Sequence, residues 1–192
     1  VGSEQPENYY NLKMSQYNKR GDRFYNIVYN KIIELLPQEK NIKILDVGCG
    51  RGTFIGILLS NNYSNICGID FSEWCINYCR NKFDSIPFIK INLKNILCFK
   101  LIIENFSIII STEVMEHILD DISIIKAIPK DHIFIFSVPN FDNEGHVRWF
   151  NNIDEIKNRY EKFLKIEESF EFKLFEKKEN TQKIFLIKSR KI

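Results

Sequence analysis

Between Ile44 and Phe54 the chain reads Ile-Leu-Asp-Val-Gly-Cys-Gly-Arg-Gly-Thr-Phe: an apolar run that stops at three alternate glycines and resumes with helical spacing. A nearly continuous apolar run of this length is the signature of a strand buried on both faces, which requires helices on both sides of a parallel sheet. The glycines let the backbone approach a ligand closely, and the helix amino terminus behind them offers free N–H groups to an anion. Their spacing is G-x-G-x-G, not the G-x-G-x-x-G of nicotinamide binders. Asp46, at the strand end, can accept from an ammonium group directly or through water. A strand of this kind, entering a glycine turn and then a helix, predicts a cofactor site at Asp46, Gly48, Gly50 and Gly52.

The rest of the chain agrees with that reading. Helical segments are expected before it: a weak one around Tyr9, Tyr10, Met14 and Tyr17, then one capped by Asp22, with apolar Ile27, Val28, Ile32, Leu35 and Leu36, closed by Pro37. After the strand at Ile42–Val47, helices and strands alternate: helix Thr53–Ser60, strand Asn65–Asp70, helix Glu73–Phe83, strand Pro87–Ile91. An irregular stretch follows, then strand Ser107–Ser111, helix Val114–Ile128 and strand His132–Val138. Alternation of this kind gives right-handed crossovers and a doubly wound α/β fold. Past a helix near Ile153–Phe163, two β-rich runs, Leu164–Phe175 and Gln182–Ser189, flank polar Glu176–Thr181 and predict an antiparallel hairpin. At 192 residues and 44% hydrophobic content, a single domain over residues 1–192 is expected, residues 1–40 forming a helical lid within it.

Further motifs sit at the same ends of later strands, where open parallel sheets bind ligands. Asp70, in Gly68-Ile69-Asp70-Phe71-Ser72, can take both hydroxyls of a ribose, and Phe71 can cover an adenine. In Ile91-Asn92-Leu93, the Asn92 amide and the Leu93 backbone N–H can read the adenine edge. With the glycine turn and the terminal hairpin, these residues resemble the class I S-adenosylmethionine-dependent methyltransferases, from about Ile42 to the end of the chain. The resemblance implies a mostly parallel seven-stranded sheet finished by the hairpin, S-adenosylmethionine as cofactor and S-adenosylhomocysteine as product. It adds Glu113 to the cofactor residues. The family commonly has Asp where Asn92 stands. The segment Ser111–Asp121 resembles small-molecule methyltransferases of this superfamily, ubiquinone-pathway O-methyltransferases included.

Two of three histidines, His117 and His146, fall on loops at the active ends of strands and are candidate general bases, with Glu116 and Arg148 as further catalytic candidates. His132 lies at the opposite end and is read as structural. Glu113, Glu116, His117 and His146 also resemble the Glu-x-x-Glu-His plus distant His set of small-RNA terminal 2′-O-methyltransferases, whose metal would make all four residues ligands. The same segment resembles metal-independent enzymes, and no metal is assigned here. The run His146–Phe150, with Glu155–Tyr160, resembles short methyltransferases of bacterial surface (capsular) polysaccharide biosynthesis. That resemblance implies a carbohydrate-type, nucleotide-linked or phosphorylated acceptor, with Arg148 open to a phosphate. The aromatics Tyr9, Tyr10, Tyr17, Phe24 and Tyr25, with Arg23, fit a lid that excludes water.

Charge narrows the classes further. With 27 basic and 25 acidic residues the net charge is +2, which is no footprint for nucleic acid. Lys177, Lys178, Lys188, Arg190 and Lys191 read as solvated strand ends. No apolar run is long enough to cross a bilayer, no secretory signal is evident, and five cysteines without C-x-x-C suit a cytoplasmic protein. The expected activity is O-methylation of a small polar metabolite. The alternatives are metal-assisted RNA 2′-O-methylation and a catalytically silent cofactor-binding partner. Oligomeric state is left open.

Overall fold

In the computed structural model, which describes residues 2–16, 22–175 and 181–192, seven strands form one sheet in the order β3-β2-β1-β4-β5-β7-β6. The strands are β1 (Ile44–Val47), β2 (Ile66–Asp70), β3 (Phe88–Lys90), β4 (Ile108–Thr112), β5 (Ile133–Pro139), β6 (Leu164–Phe175) and β7 (Gln182–Lys191). The first five run parallel, while β7 is antiparallel to both β5 and β6. This is the predicted doubly wound sheet with its terminal hairpin. Tyr17, residues 176–180, and the side chains of Asp22, Arg23, Phe24 and Phe175 lie outside the described residues.

Helices cover both faces: α1 (Glu7–Gln16), α2 (Asp22–Leu35), α3 (Thr53–Ser60), α4 (Glu73–Lys82), α5 (Ile96–Ile103), α6 (Asp121–Ala127) and α7 (Ile153–Tyr160). Alternate residues of each central strand feed two separate cores. Leu45, Ile109, Phe134 and Phe136 belong to one, and Ile44, Ile108, Ile110 and Ile135 to the other. Helix α2 buries Val28 and Ile32 in the second core and turns Tyr25 and Tyr29 toward a cavity at the strand ends. Helix α1 buries no residue.

Two expectations change. The stretch after β3 contains α5, capped by the Asn95 side chain accepting from the Cys98 N–H at 3.2 Å. Its sequence hides the helix because Leu97 and Leu101 are apolar yet 76% and 70% exposed, which erases the one-sided period. The predicted helix Val114–Ile128 is instead a single 3₁₀ turn, Met115–His117, followed by the short α6. Glu113 before the turn has φ 55°, the left-handed region, and Asp120 starts α6 afresh by accepting from the Ser123 N–H.

Helices α6 and α7 are joined through one buried carboxylate. Asp121 accepts from Arg159 Nε and Nη2 at 2.9 and 2.6 Å and from the Tyr160 hydroxyl at 2.6 Å, with Arg148 Nη1 at 3.5 Å. Removing one partner of a buried ionic cluster leaves the others uncompensated. Asp121→Ala is therefore expected to lower unfolding free energy by about 3–5 kcal/mol, measured by urea denaturation.

Candidate active site

The order of the sheet reverses between β1 and β4, and the motif residues gather at the carboxyl ends of the strands around that point. The turn after β1 is fixed by Gly48 and Cys49, whose N–H groups donate to Ile69 O at 2.8 and 3.0 Å. Gly48 has φ 73°, and a Cβ there would lie 2.3 Å from Val114 Cγ2, so the turn after β4 packs directly on its backbone. Gly50 has φ 51° and open space where a Cβ would be. Gly52 differs: its Cβ would meet the Phe83 ring at 2.6 Å. It sits against Phe83 and Cys79, at the contact of α3 with α4, and is not among the residues lining the cleft.

Asp70 closes the turn from β2. Its Oδ2 accepts from Gly50 N–H at 2.9 Å and its Oδ1 from Ser72 N–H at 2.8 Å. The spacing of the motif gave no sign of this brace between the first and second strand ends. Together with Gly48, Gly50, Phe71, Asn92 and Leu93, Asp70 lines a cleft of about 260 Å³. The Asn92 side-chain oxygen is already engaged by the Lys94 N–H at 3.0 Å. Residues of the amino-terminal segment, Glu7, Tyr10 and Met14 among them, form the opposite wall. The Tyr10 ring meets Phe71 edge-on with centroids 5.1 Å apart.

A second cavity of about 240 Å³ adjoins the first and shares Tyr10, Met14, Gly48, Gly50, Glu113 and His117 with it. It is lined by Asp46, Glu116 and His146, with Tyr25, Tyr29, Phe54 and Phe141 as aromatic walls and Lys13 and Arg51 as cations. His117 Nδ1 lies 2.9 Å from Gly145 O and 3.0 Å from the Tyr10 hydroxyl, and His146 Nδ1 lies 3.0 Å from Phe141 O. An Nδ1–H donating to a carbonyl leaves the Nε2 lone pair as the reactive position. The two rings are 4.8 Å apart, so residues 29 positions distant in sequence become one pair. Glu116 is fully buried, and neither of its oxygens has a hydrogen-bond partner among the described residues. His117 Nε2 lies 3.7 Å from Glu116 Oε1. Glu113 accepts from Ser137 Oγ at 2.9 Å.

Arg148 is engaged within the protein. Its guanidinium donates to the carbonyls of Met115, Ile118 and Leu119 and faces Asp121, with 12% of its side chain exposed. His132 sits at the other end of β5 against Lys130 O, as expected. The position of Tyr10 between both cavities depends on the docking of α1 on the sheet, which no local motif encodes.

Burial dominates the electrostatics. It pushes the Asp46 carboxyl up to about 7, with Asp70 adding to the shift, and raises Asp70 against the pull of its N–H bonds. Glu113 and Glu116 are raised by burial as well, Glu116 further by Glu113. His117 is held down to about 4 and His146 below its ordinary value, so both are neutral at neutral pH. A carboxyl raised on folding favours the fold below its unfolded value and loses that contribution as pH rises through its folded value. For Asp46 that window runs from 3.8 to about 7. Asp46→Asn is thus expected to raise the melting temperature of the unliganded protein at pH 7.5 and to leave it nearly unchanged at pH 4, by calorimetry at the two pH values.

A family model described as a methyltransferase domain matches residues 17–174. The ubiquinone/menaquinone biosynthesis C-methyltransferase UbiE of Campylobacter jejuni is 36% identical over 64 residues, which is 30% of this chain and only 27% of that protein. Among solved structures, an S-adenosylmethionine-dependent methyltransferase from Anabaena variabilis aligns with a TM-score of 0.71 at 14% identity, covering 97% of this chain and 93% of that one. The N-methyltransferase NodS of Bradyrhizobium japonicum, solved with S-adenosyl-L-homocysteine, aligns at 0.65 and 15% identity, covering 88% and 87%. The strand order with its antiparallel end, the braced glycine turn and the matched residues agree: the chain belongs to the methyltransferase-domain family and has the class I S-adenosylmethionine-dependent methyltransferase fold.

Proposed function

We propose that the enzyme methylates a hydroxyl of a small polar acceptor in the cytoplasm, with cofactor in the first cleft and acceptor in the second cavity. The ribose is assigned to Asp70, the adenine to Phe71, Asn92 and Leu93, and the amino-acid portion to the glycine turn and Asp46. Bound S-adenosylmethionine would supply the methyl group, its sulfur departing with the bonding electron pair, and a histidine Nε2 would take the proton of the acceptor hydroxyl. The carrying observation is the pair of neutral imidazoles, each anchored through Nδ1 to a backbone carbonyl, beside the second cavity. Burial keeps both unprotonated and so able to accept a proton. The carbohydrate-type acceptor suggested by residues 146–150 stays within this proposal. Any anionic group on it would meet Lys13 and Arg51, since Arg148 is engaged elsewhere.

A second reading has its own support. Donor atoms of Glu116, His117 and His146 lie within 4.8 Å of one another, and the Glu116 oxygens lack hydrogen bonds among the described residues. A carboxylate with two imidazoles fixed by carbonyls suits a divalent cation, which would lower the pKa of a bound hydroxyl.

Purified protein with S-adenosylmethionine and a panel of sugars, sugar phosphates and nucleotide-linked sugars should yield S-adenosylhomocysteine; no turnover with any acceptor would favour a silent cofactor-binding protein. Asp70→Ala is expected to weaken S-adenosylhomocysteine binding by about 1.5–3 kcal/mol in calorimetry; unchanged affinity in a folded variant removes the ribose assignment. His117→Asn or His146→Asn should lower kcat by about 10²–10⁴-fold with cofactor affinity retained. If a chelator abolishes activity and a divalent cation restores it, the metal reading replaces the base.

A further inference from the structure

The turn after β4 gives up helical hydrogen bonds, and its carbonyls find partners in one neighbouring loop. Glu116 O accepts from Val147 N–H at 2.8 Å. The carbonyls of Met115, Ile118 and Leu119 accept from the Arg148 guanidinium, the last at 2.8 Å. The same loop supplies Gly145 O to His117 and carries His146. A regular helix would satisfy these carbonyls within its own backbone, without a buried cation. In the turn, Glu116 Oε1 and His117 Nε2 are 3.7 Å apart, and donor atoms of both lie within 4.8 Å of His146.

We propose that Arg148 is a positioning residue: by gripping three carbonyls of the turn, it holds Glu116 and His117 against the loop that carries His146 and so assembles the reacting centre from two separate chain segments. The planar fork of arginine suits several acceptors at once, which the single ammonium of lysine matches poorly. Asp121, between Arg148 and Arg159, balances the buried charge. This inference rests on the proposed function only in treating the two histidines as the centre of the site, and it holds whether they accept a proton or bind a cation.

The test uses full-length protein labelled with ¹³C-histidine and saturated with S-adenosylhomocysteine. Wild type should show a nuclear Overhauser cross-peak between the His117 and His146 rings, assigned through His117→Asn and His146→Asn. Arg148→Gln should keep dispersed spectra and product affinity, yet lose that cross-peak, and Arg148→Lys should recover it only in part. On an acceptor found in the screen, kcat should fall by about 10²-fold, the cost of a small misplacement, with little change in KM. A cross-peak of full intensity in folded Arg148→Gln would overturn the proposal. If that variant does not fold, full intensity in Arg148→Lys would do the same. A raised KM confined to phosphorylated acceptors, with the cross-peak intact, would return Arg148 to substrate binding. The spectroscopic arm needs no acceptor, so failure to find one leaves it standing.

Discussion

Strands β1 and β4 lie side by side, Ile44 opposite Ile108 and Asp46 opposite Ile110, although two other strands and three helices separate them in sequence. That pairing brings the glycine turn and the turn after β4 into contact, Val114 sitting on the backbone of Gly48. The two cavities meet along this seam, which is why Gly48, Gly50 and Glu113 border both. Parallel pairing orders the chemistry as well: every strand delivers its ligand-facing residues at the same edge, and the rigid interior behind them sets their spacing. The antiparallel hairpin widens the sheet beyond β5, where Leu186 and Ile187 are fully buried.

The seam concentrates acidity. Asp46 and Glu116 are withdrawn from water and Glu113 is half-buried beside them, while the two neighbouring histidines are held neutral. A positive charge nearby would draw these carboxyls back toward their ionised form, so a cation entering the seam would be favoured over a neutral molecule.

Much of this was legible in the sequence because the governing rules are local. Apolar runs ending at Val47, Asp70 and Ser111 announced strands buried on both faces, and Gly48, Gly50 and Asp70 announced a ligand at their ends. What escaped was set at a distance. Helix α5 presents Leu97 and Leu101 outward, so its apolar period is blurred. The turn Met115–His117 reads as helix by composition, and only its contacts with residues 145–148 make the shorter form stable. Gly52 looks like the other two motif glycines, yet Phe83 decides its role. Arg148 looked free because nothing near it in sequence reveals three carbonyls waiting across the gap.

Helix α1 lies across the cofactor cleft but buries no side chain of its own. Asn11 accepts from Ser72 Oγ at 2.6 Å and from Trp74 N–H at 3.3 Å, Glu7 pairs with Lys90 at 2.8 Å, and Glu4 meets Lys94. Water is an adequate substitute for these polar ties, whereas the Tyr10 ring against Phe71 and Met14 at both cavities are apolar contacts that lifting the helix would expose. Added salt therefore weakens only the ionic part of the attachment, and the aromatic contact holds the segment against the sheet.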